Sequence, residues 1–255
     1  MSIDKRSSSF YFGSMRDEVF KKHRDEISKF EFNDDVAQVF DDMVDRSIPN
    51  YHEIHKIIGD LCRRAFVSGN IYDLGCSTGS TLQIIAQAFK KMDKPRPSMF
   101  GVDNSNAMIE RARKKLDSFG LKDITLTTGD IEGYKMNDAG MIIMNYTLQF
   151  LEPSSRPEIL KNIYDSLKPG GLFILAEKIV CHDDQIDKLL IDLYYDFKRR
   201  NGYTEMEISQ KRDALENVLR PITPTAQIQM MNDAGFKKTE MIFRWYNFCC
   251  YLGIK

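Results

Sequence analysis

Apolar positions along this chain follow two periods, one typical of buried strands and one typical of amphipathic helices. Short apolar runs predict strands at 71–74, 98–103, 124–130, 139–145 and 172–178. Apolar residues spaced three and four apart predict helices at 33–49, 50–66, 81–89, 105–119 and 153–171. Two more strands, 236–245 and 247–255, are joined by a short turn. The alternation predicts an α/β fold, a doubly wound parallel sheet closed by a C-terminal antiparallel hairpin.

The stretch between the fifth strand and the hairpin, about 179–235, is longer than a single crossover helix requires and predicts a helical insert. Its first helical segment has one apolar face, formed by Ile186, Leu189, Leu190, Leu193, Tyr194 and Phe197. We expect this face to cover either the mouth of a site or a second subunit. The basic run 198–200 on the same segment is expected to lie on a solvated face.

Composition limits the class of protein. The chain has 255 residues, of which 42% are hydrophobic, and this predicts a single domain at 31–255 after a polar extension at 1–30. We expect the first dozen residues to be mobile. The net charge of -1 gives no support for direct nucleic-acid binding.

Targeting and metal signals are missing from the sequence. The five cysteines show no C-x-x-C spacing, so we expect no disulfide framework and no metal, and the reducing cytoplasm fits best. The start of the chain has no apolar leader, and no apolar run is long enough to span a membrane. We therefore expect no membrane association.

The strongest local motif is D-x-G-x-x-x-G at 73–79, which predicts a strand, a glycine turn and a helix. Asp73 would repel a pyrophosphate but attract the ammonium of an amino acid. The glycines would let a ligand approach the backbone, with the amides at the helix start facing it. The pattern resembles the S-adenosylmethionine loop of class I methyltransferases; an ordinary turn in another α/β protein is the alternative. We interpret Cys76 as loop packing, since no histidine is near it in sequence.

Polar residues end three successive strands, where open parallel sheets bind ligands. Asp103 follows Gly75 by about 28 residues, the spacing expected for an acid that binds a ribose diol. Asp130 is placed to accept a hydrogen bond from an adenine amino group, with Ile131 against the ring, and Asn145 to lie beside the sulfonium. Polar caps at strand ends are the alternative for each of them. Tyr51, at a helix start, is equally consistent with a surface aromatic.

Six segments together carry a more specific resemblance. They are SIPNY (47–51), YDLGCS (72–77), VDNSNAMIERAR (102–113), GDI (129–131), NYTLQFLEPSSR (145–156) and DFKRRNGYTEMEISQKRDALENVL (196–219). The chain resembles the carboxy-S-adenosyl-L-methionine synthase family from about Phe32 to its end. Because the resemblance includes the insert, it covers more than the generic methyltransferase fold.

The resemblance implies a carboxyl transfer. The family moves the carboxyl group of prephenate to the methyl carbon of S-adenosyl-L-methionine, releases phenylpyruvate and water, and works as a homodimer. Its product serves the modification of wobble uridines in tRNA. The sulfonium acidifies its methyl carbon, so deprotonation gives an ylide able to attack carbon dioxide in a pocket that excludes water. The implied ligand contacts are Tyr51, Gly75, Cys76, Ser77, Asp103, Asn104, Asp130, Ile131, Asn145 and Arg212, with Arg212 and Tyr51 as the candidate catalytic residues.

Two other classes of function stay open at this point. One is an S-adenosylmethionine-dependent methyltransferase acting on a small acidic substrate, which Arg212 would orient. The other is a non-catalytic module that binds S-adenosylmethionine and acts through its insert.

Overall fold

A computed structural model describes residues 15–23, 26–216 and 218–255. The helices are α1 (Asp34–Ser47), α2 (Tyr51–Ala65), α3 (Ser80–Lys91), α4 (Asn106–Ser118), α5 (Arg156–Ser166), α6 (Asp184–Arg200), α7 (Glu205–Leu215) and α8 (Pro224–Ala234), with a 3₁₀ turn at Leu148–Phe150. The strands are β1 (Asn70–Leu74), β2 (Met99–Asp103), β3 (Thr125–Thr128), β4 (Ala139–Asn145), β5 (Leu167–Lys178), β6 (Lys238–Trp245) and β7 (Phe248–Ile254).

The strands form one seven-stranded sheet in the order β3-β2-β1-β4-β5-β7-β6. Strands β3, β2, β1, β4 and β5 are parallel to one another. Strand β7 lies between β5 and β6 and is antiparallel to both. This confirms the predicted doubly wound sheet with its C-terminal antiparallel hairpin. The carboxyl ends of β2, β1, β4 and β5 consequently meet along one edge of the sheet, which positions the site.

Alternating residues of the central strands build two cores, one on each face of the sheet. In β4, Met141 and Ile143 belong to the cluster that contains Ile54 and Ile58 of α2. Ile142 and Met144 belong to the other, together with residues of α5 and α8. Because both faces are covered, the central strands are apolar at nearly every position, as is typical of buried parallel strands.

Side chains at the helix starts explain where several helices begin. Asn33, Ser105 and Asp183 accept hydrogen bonds from the backbone amides of Val36, Met108 and Ile186, at the starts of α1, α4 and α6. At α7, Thr204 and Glu207 form a reciprocal capping box. The predicted N-cap role of Ser105 is therefore confirmed.

The structure departs from the sequence prediction in three elements. Strand β3 ends at Thr128, so Asp130 lies in the loop beyond it and not at the strand end. Strand β5 begins at Leu167, so it includes the Pro-Gly-Gly segment expected to close α5. Helix α8, which begins with Pro224 and has no acidic first turn, was not recognised as a separate helix within the insert. It packs against α5 and β6 as the crossover helix of the sheet.

A segment near the N-terminus ties the insert to the rest of the chain. Asp17 is buried and accepts a hydrogen bond from the Tyr203 hydroxyl at 2.5 Å, between α6 and α7. The Gln210 amide of α7 donates to the backbone carbonyls of Phe20 and Lys22. The predicted mobile dozen lies outside the described residues. The division into an extension at 1–30 and a domain at 31–255 stays a prediction. No helix in the described part of the chain combines the length and the hydropathy needed to cross a membrane.

Candidate active site

The glycine turn joins β1 to α3 and forms the floor of the site. Gly75 and Gly79 have φ of 79° and 77°, a region that residues with a side chain rarely adopt. A Cβ on Gly75 would also lie 2.3 Å from the Thr147 hydroxyl. The amides of Gly75 and Cys76 donate to the Val102 carbonyl, which joins the turn to β2.

A buried ion pair holds the turn from behind. The Lys115 amine of α4 lies 2.6 Å from the Asp41 carboxylate of α1 and 2.9 Å from the hydroxyls of Thr78 and Ser80. These contacts link α1, α4 and the start of α3 around the turn. The position of the turn is therefore fixed by side chains that are not part of the glycine motif.

Cys76 lies within the turn, and its side chain is buried. Burial, together with the nearby carboxylates of Asp73 and Asp103, raises the pKa of the Cys76 thiol well above its usual range. The thiol therefore stays protonated and is unsuited to act as a nucleophile. This agrees with its interpretation as loop packing.

Asp103 ends β2 with its carboxylate held by two backbone amides. Its oxygens accept hydrogen bonds from the amides of Ser77 and Ser105, each at 2.9 Å. Burial raises the pKa of Asp103, and these two hydrogen bonds oppose the shift. A carboxylate has about four acceptor positions, so a diol can still bind to it. Asn104, the next residue, is exposed at the rim.

Asp73 lies under the turn, fully buried, and neither of its carboxylate oxygens has a partner among the described residues. Burial and the nearby charge of Asp103 raise the pKa of Asp73 to about 8. Two acids thus lie close together without a cation between them. Such an arrangement favours a positively charged ligand.

Asn145 at the end of β4 lines the cavity beside Tyr51 of α2. Its side-chain oxygen is buried and has no partner in the described part of the chain. The amide nitrogen of Asn145 lies 3.5 Å from His55 Nε2, and the His55 ring lies 4.5 Å from that of Tyr51. An unpaired buried oxygen at a cavity wall is an acceptor that a ligand can satisfy.

Sequence reasoning missed His55, although it lies four residues after Tyr51 and therefore on the same face of α2. Burial is the main cause that lowers the pKa of His55 to about 3, and the charges of His52 and Lys115 add to the shift. The ring is therefore neutral at physiological pH. It orients Asn145 without placing a second positive charge beside the site.

Asp130 and Ile131 follow β3 in a loop that closes one side of the cavity. Asp130 is exposed, whereas Ile131 is half-buried and packs against the core on the α5 and α8 face. A carboxylate beside a partly covered aliphatic side chain suits a flat heterocycle with an amino group at its edge.

Arg212 projects from α7 and lines the same cavity. Its guanidinium pairs with Asp213 at 2.9 Å and donates to the Ser209 hydroxyl at 3.2 Å. More than half of the side chain is exposed, so it can turn toward a ligand. In this chain Arg212 reaches the cavity wall of its own subunit.

All the predicted ligand contacts line a single cavity of about 940 Å³. They are Tyr51, Gly75, Cys76, Ser77, Asp103, Asn104, Asp130, Ile131, Asn145 and Arg212. Pockets of this size hold a drug-sized ligand, and this one lies at the upper end of the usual range. The roles assigned to these residues stay predictions.

The structure corrects the expectation that Lys198 lies on a solvated face. Arg199 and Arg200 are exposed, but Lys198 is buried and lines the cavity, as do Lys178 and Lys211. The Lys198 amine lies 4.6 Å from the centre of the Tyr194 ring. Lys198 follows Tyr194 by four residues and therefore lies on the same side of α6, which is the sequence signal that could have predicted its burial. Within the described residues, no group of three or more His, Cys, Asp or Glu side chains could hold a metal ion.

Comparison with known proteins identifies the family. Residues 71–171 match the family model described as a methyltransferase domain. The carboxy-S-adenosyl-L-methionine synthase of Sulfurimonas denitrificans is 46% identical over 94% of this chain and all of its own length. That of Nautilia profundicola is 42% identical with the same coverage.

Solved structures agree at the level of the fold. Human N-acetylserotonin methyltransferase in complex with SAM superposes with a TM-score of 0.60 and 16% identity, covering 87% of this chain and 55% of its own. The YcgJ protein from Bacillus subtilis gives 0.59 and 14%, with coverage of 80% and 99%. The fold is thus that of class I methyltransferases, and the near full-length identity shows that the chain belongs to the carboxy-S-adenosyl-L-methionine synthase family.

Proposed function

We propose that this protein transfers the carboxyl group of prephenate to the methyl carbon of S-adenosyl-L-methionine, giving carboxy-S-adenosyl-L-methionine for wobble-uridine modification of tRNA. The observation that carries this proposal is the 46% identity to a carboxy-S-adenosyl-L-methionine synthase over 94% of the chain. That length includes the insert, which supplies Arg212, Lys198 and Lys211. A relationship confined to the sheet would support only the fold.

The order of the strand ends supports a specific placement of S-adenosyl-L-methionine. Asp103 on β2 would bind the ribose diol, and Asp130 with Ile131 would hold the adenine. Asp73, buried without a cation, would be neutralised by the ammonium of the methionyl part. The sulfonium and its methyl group would then lie at β4, where Asn145, with its unpaired side-chain oxygen, lines the cavity.

The overall reaction is balanced without a redox partner. In prephenate, the bond between the ring and its carboxyl carbon breaks, and the ring hydroxyl leaves as hydroxide, giving phenylpyruvate. A proton leaves the methyl group, whose acidity the adjacent sulfonium supplies, and a new carbon–carbon bond joins this carbon to the carboxyl group. The proton and the hydroxide together form water. The protein is required to hold both substrates and to exclude bulk water.

Arg212 is placed to recognise the product. A second positive charge beside a sulfonium gives no benefit to methyl transfer, but it stabilises a carboxylate once that group is attached to the methyl carbon. A guanidinium can donate two parallel hydrogen bonds to a carboxylate. Arg212 would have to exchange its present pairing with Asp213 for this contact. Tyr51, packed on His55 beside Asn145, would close the other side.

A second candidate is methyl transfer to a small acidic substrate, favoured by the fold neighbours and by the cationic side chains in the cavity. The product separates the two functions. Purified protein would be incubated with S-adenosyl-L-methionine and prephenate, and the nucleoside product analysed by mass spectrometry. We expect the mass of S-adenosyl-L-methionine plus one carboxyl group in place of a hydrogen. Formation of S-adenosylhomocysteine alone would contradict the proposed function.

The setting of the reaction is part of the proposal. We propose that the protein is a homodimer in the cytoplasm, where its five free cysteines suit a reducing compartment. With a net charge of -1, it needs no contact with nucleic acid to make a small-molecule product. It needs no metal for this chemistry, since the sulfonium itself activates the methyl group.

A further inference from the structure

The end of the cavity beyond Asn145 contains two lysines that lack a carboxylate partner. Lys178 ends β5, the neighbour of β4 in the sheet, and Lys198 lies in the last turn of α6. Their amines lie 5.2 and 4.6 Å from the centre of the same ring, that of Tyr194. Within the described residues, neither amine has a hydrogen bond or an ion pair.

The other buried lysines show what such an amine normally requires. Lys115 has the Asp41 carboxylate at 2.6 Å, and Lys211 has the Asp17 carboxylate at 3.8 Å. Lys198 is as buried as Lys115, at 4% exposure, but its amine lies against the rings of Tyr194 and Tyr195 and has no ion pair within the described residues. Buried charges are normally paired, because the interior solvates an ammonium far less well than water does. Within the described residues, no carboxylate pairs with Lys198, so a counter-charge for its amine would have to come from a bound ligand.

The pKa shifts of Lys198 and Lys178 agree with the lack of a paired anion. Burial and the neighbouring amines of Lys211 and Lys178 lower the pKa of Lys198 well below its usual range, while Asp17 opposes the shift. Burial also lowers the pKa of Lys178, which only Asp187 opposes. An anion between these amines would stabilise their charged forms. A carboxylate that binds at this end of the cavity would consequently be stabilised by attraction to the two ammonium groups.

The walls between the lysines and Asn145 are aromatic. The Tyr194 ring lies 5.1 Å from that of Phe248, which lies 5.9 Å from that of Tyr146. The Tyr146 hydroxyl is buried without a partner in the described part of the chain, and burial raises its pKa, so it stays a hydrogen-bond donor. Two amines, one phenol and apolar rings form a compartment suited to a small unsaturated ring that carries a carboxylate.

We infer that Lys178 and Lys198 form a second-substrate subsite that binds the retained carboxylate of a cyclic dicarboxylate, so that the transferred carboxylate faces Asn145 and Arg212. This inference rests on the proposed function, in which the substrate loses one carboxylate and keeps the other. The retained group has the same charge in substrate and product. Fixing it orients the ring without a contact to the group that moves, and the same lysines hold phenylpyruvate while the new bond forms.

The test uses Lys178→Met, Lys198→Met and the double variant, which keep the aliphatic side chain but remove the charge. Lys188→Met is the matched control, because Lys188 is exposed on α6 and does not line the cavity. We expect the KM for prephenate to rise roughly tenfold or more in each single variant, since a charged hydrogen bond is being removed. Calorimetry should give a Kd for S-adenosyl-L-methionine within about twofold of the parent, and the control should match the parent in both measurements. An unchanged KM in the double variant would overturn the subsite.

A measurement on the unaltered protein covers the case in which a variant does not fold. The methyl ester of phenylpyruvate replaces the charged carboxylate with a neutral ester one methyl group larger, and the binding of both compounds to the protein saturated with S-adenosylhomocysteine would be compared by calorimetry. We expect the acid to bind roughly tenfold or more tightly than the ester. Equal affinities would overturn the inference.

The outcomes also separate this inference from the proposed function. Binding of phenylpyruvate that depends on the two lysines, in a protein that makes no carboxylated nucleoside, would uphold the subsite and refute carboxyl transfer. Carboxylated product formed with the parental KM in the double variant would uphold the function and refute the subsite.

Discussion

At the scale of single residues, ionisable side chains without a partner of opposite charge lie beneath the glycine turn and at the β5 side of the cavity. Asp73 of β1 is buried without a cation, and the half-buried Lys178 and the buried Lys198 have no ion pair within the described residues. Both arrangements cost stability in the ligand-free chain, because polar groups without partners are poorly solvated in an interior. S-adenosyl-L-methionine has its ammonium for the first position, and an acidic second substrate has its carboxylate for the other. The site is therefore built for two ligands of complementary charge.

Asp73 should make the stability of the ligand-free protein depend on pH. Its pKa in the folded chain is raised to about 8 from an ordinary value of 3.8. The unfolded chain therefore loses this proton first, and the folded state is progressively destabilised as pH rises between these two values, by about 1.4 kcal/mol per unit. Above pH 8 the cost no longer grows.

The variant Asp73→Asn removes this titration while keeping the shape of the side chain. We expect the free energy of unfolding of the variant, relative to the parent, to increase by about 3 kcal/mol between pH 5.5 and 8.5. Any constant cost of burying the new amide cancels in this difference. Urea unfolding at the two pH values measures it. A relative stability that stays the same across this range would show that Asp73 is ionised throughout.

Substitutions of Arg212 distinguish carboxyl transfer from methyl transfer. We expect Arg212→Ala to bind S-adenosyl-L-methionine almost as tightly as the parent, to hold the carboxylated product at least roughly tenfold more weakly, and to lose prephenate-dependent turnover. Arg212→Lys should not restore activity, because an ammonium cannot form the two parallel hydrogen bonds. Arg200→Ala, which removes an exposed arginine on α6, is the control. Full product affinity in Arg212→Ala would refute the role.

At the scale of elements, the insert is held over the cavity by the N-terminal segment and α1. Arg46 of α1 donates to the Asn201 carbonyl at 2.9 Å and to the Asp17 carbonyl at 3.2 Å, and its guanidinium lies over the Tyr203 ring. The Phe30 amide donates to the Ala214 carbonyl of α7. Elements from the N-terminal part of the sequence thus position α6 and α7, the helices that carry Lys198 and Arg212.

Asp17 is the member of this group whose removal has the clearest expected effect. Asp17→Ala would leave the buried Lys211 amine without its counter-charge and the Tyr203 hydroxyl without its acceptor. We expect a loss of about 3 kcal/mol or more in the free energy of unfolding. Amides of α7 should also exchange faster with solvent, as mass spectrometry would show. Glu18→Ala, which removes an exposed acid next in sequence, should change neither. Parental stability in Asp17→Ala would show that the segment does not hold the insert.

The sequence was informative where a local rule determines the structure. Strand and helix periods predicted the sheet, and the rule that ligands bind at carboxyl ends of parallel strands selected Asp103 and Asn145. The burial of Lys198 and His55, by contrast, depends on which elements pack over them, and a local pattern does not determine this. A helical lysine is solvated by default, and this one is buried because α6 packs over the cavity, with Tyr194 against Phe248 of β7. Helix α8 has Pro224 at its start and a mixed surface, so neither a cap acid nor a clear apolar stripe marked it.

At the scale of the whole molecule, α6 presents more apolar surface than one chain covers. The predicted apolar face is divided in the structure: Tyr194 is buried, whereas Ile186 and Leu189 are exposed by 53% and 57%. Phe197 lies between these extremes, half-buried against the core. Neighbouring exposed aliphatic side chains on one helix are typical of a surface that another subunit covers. Because α6 also carries Lys198, an interface there would restrain the helix that lines the cavity.

We therefore expect a two-fold dimer in which α6 of each subunit is buried, and Leu189→Glu tests it. A charge at the centre of an apolar interface leaves an unpaired ion and should shift the protein to a monomer at micromolar concentration. Val67→Glu is the control, because Val67 is 81% exposed in the loop before β1 and its substitution introduces the same charge away from α6. Light scattering gives the mass of each protein. A monomeric parent, or a dimeric Leu189→Glu variant, would show that α6 is not the interface. If the dimer dissociates only in Leu189→Glu, loss of prephenate turnover at the same concentration would link assembly to the position of α6 over the cavity.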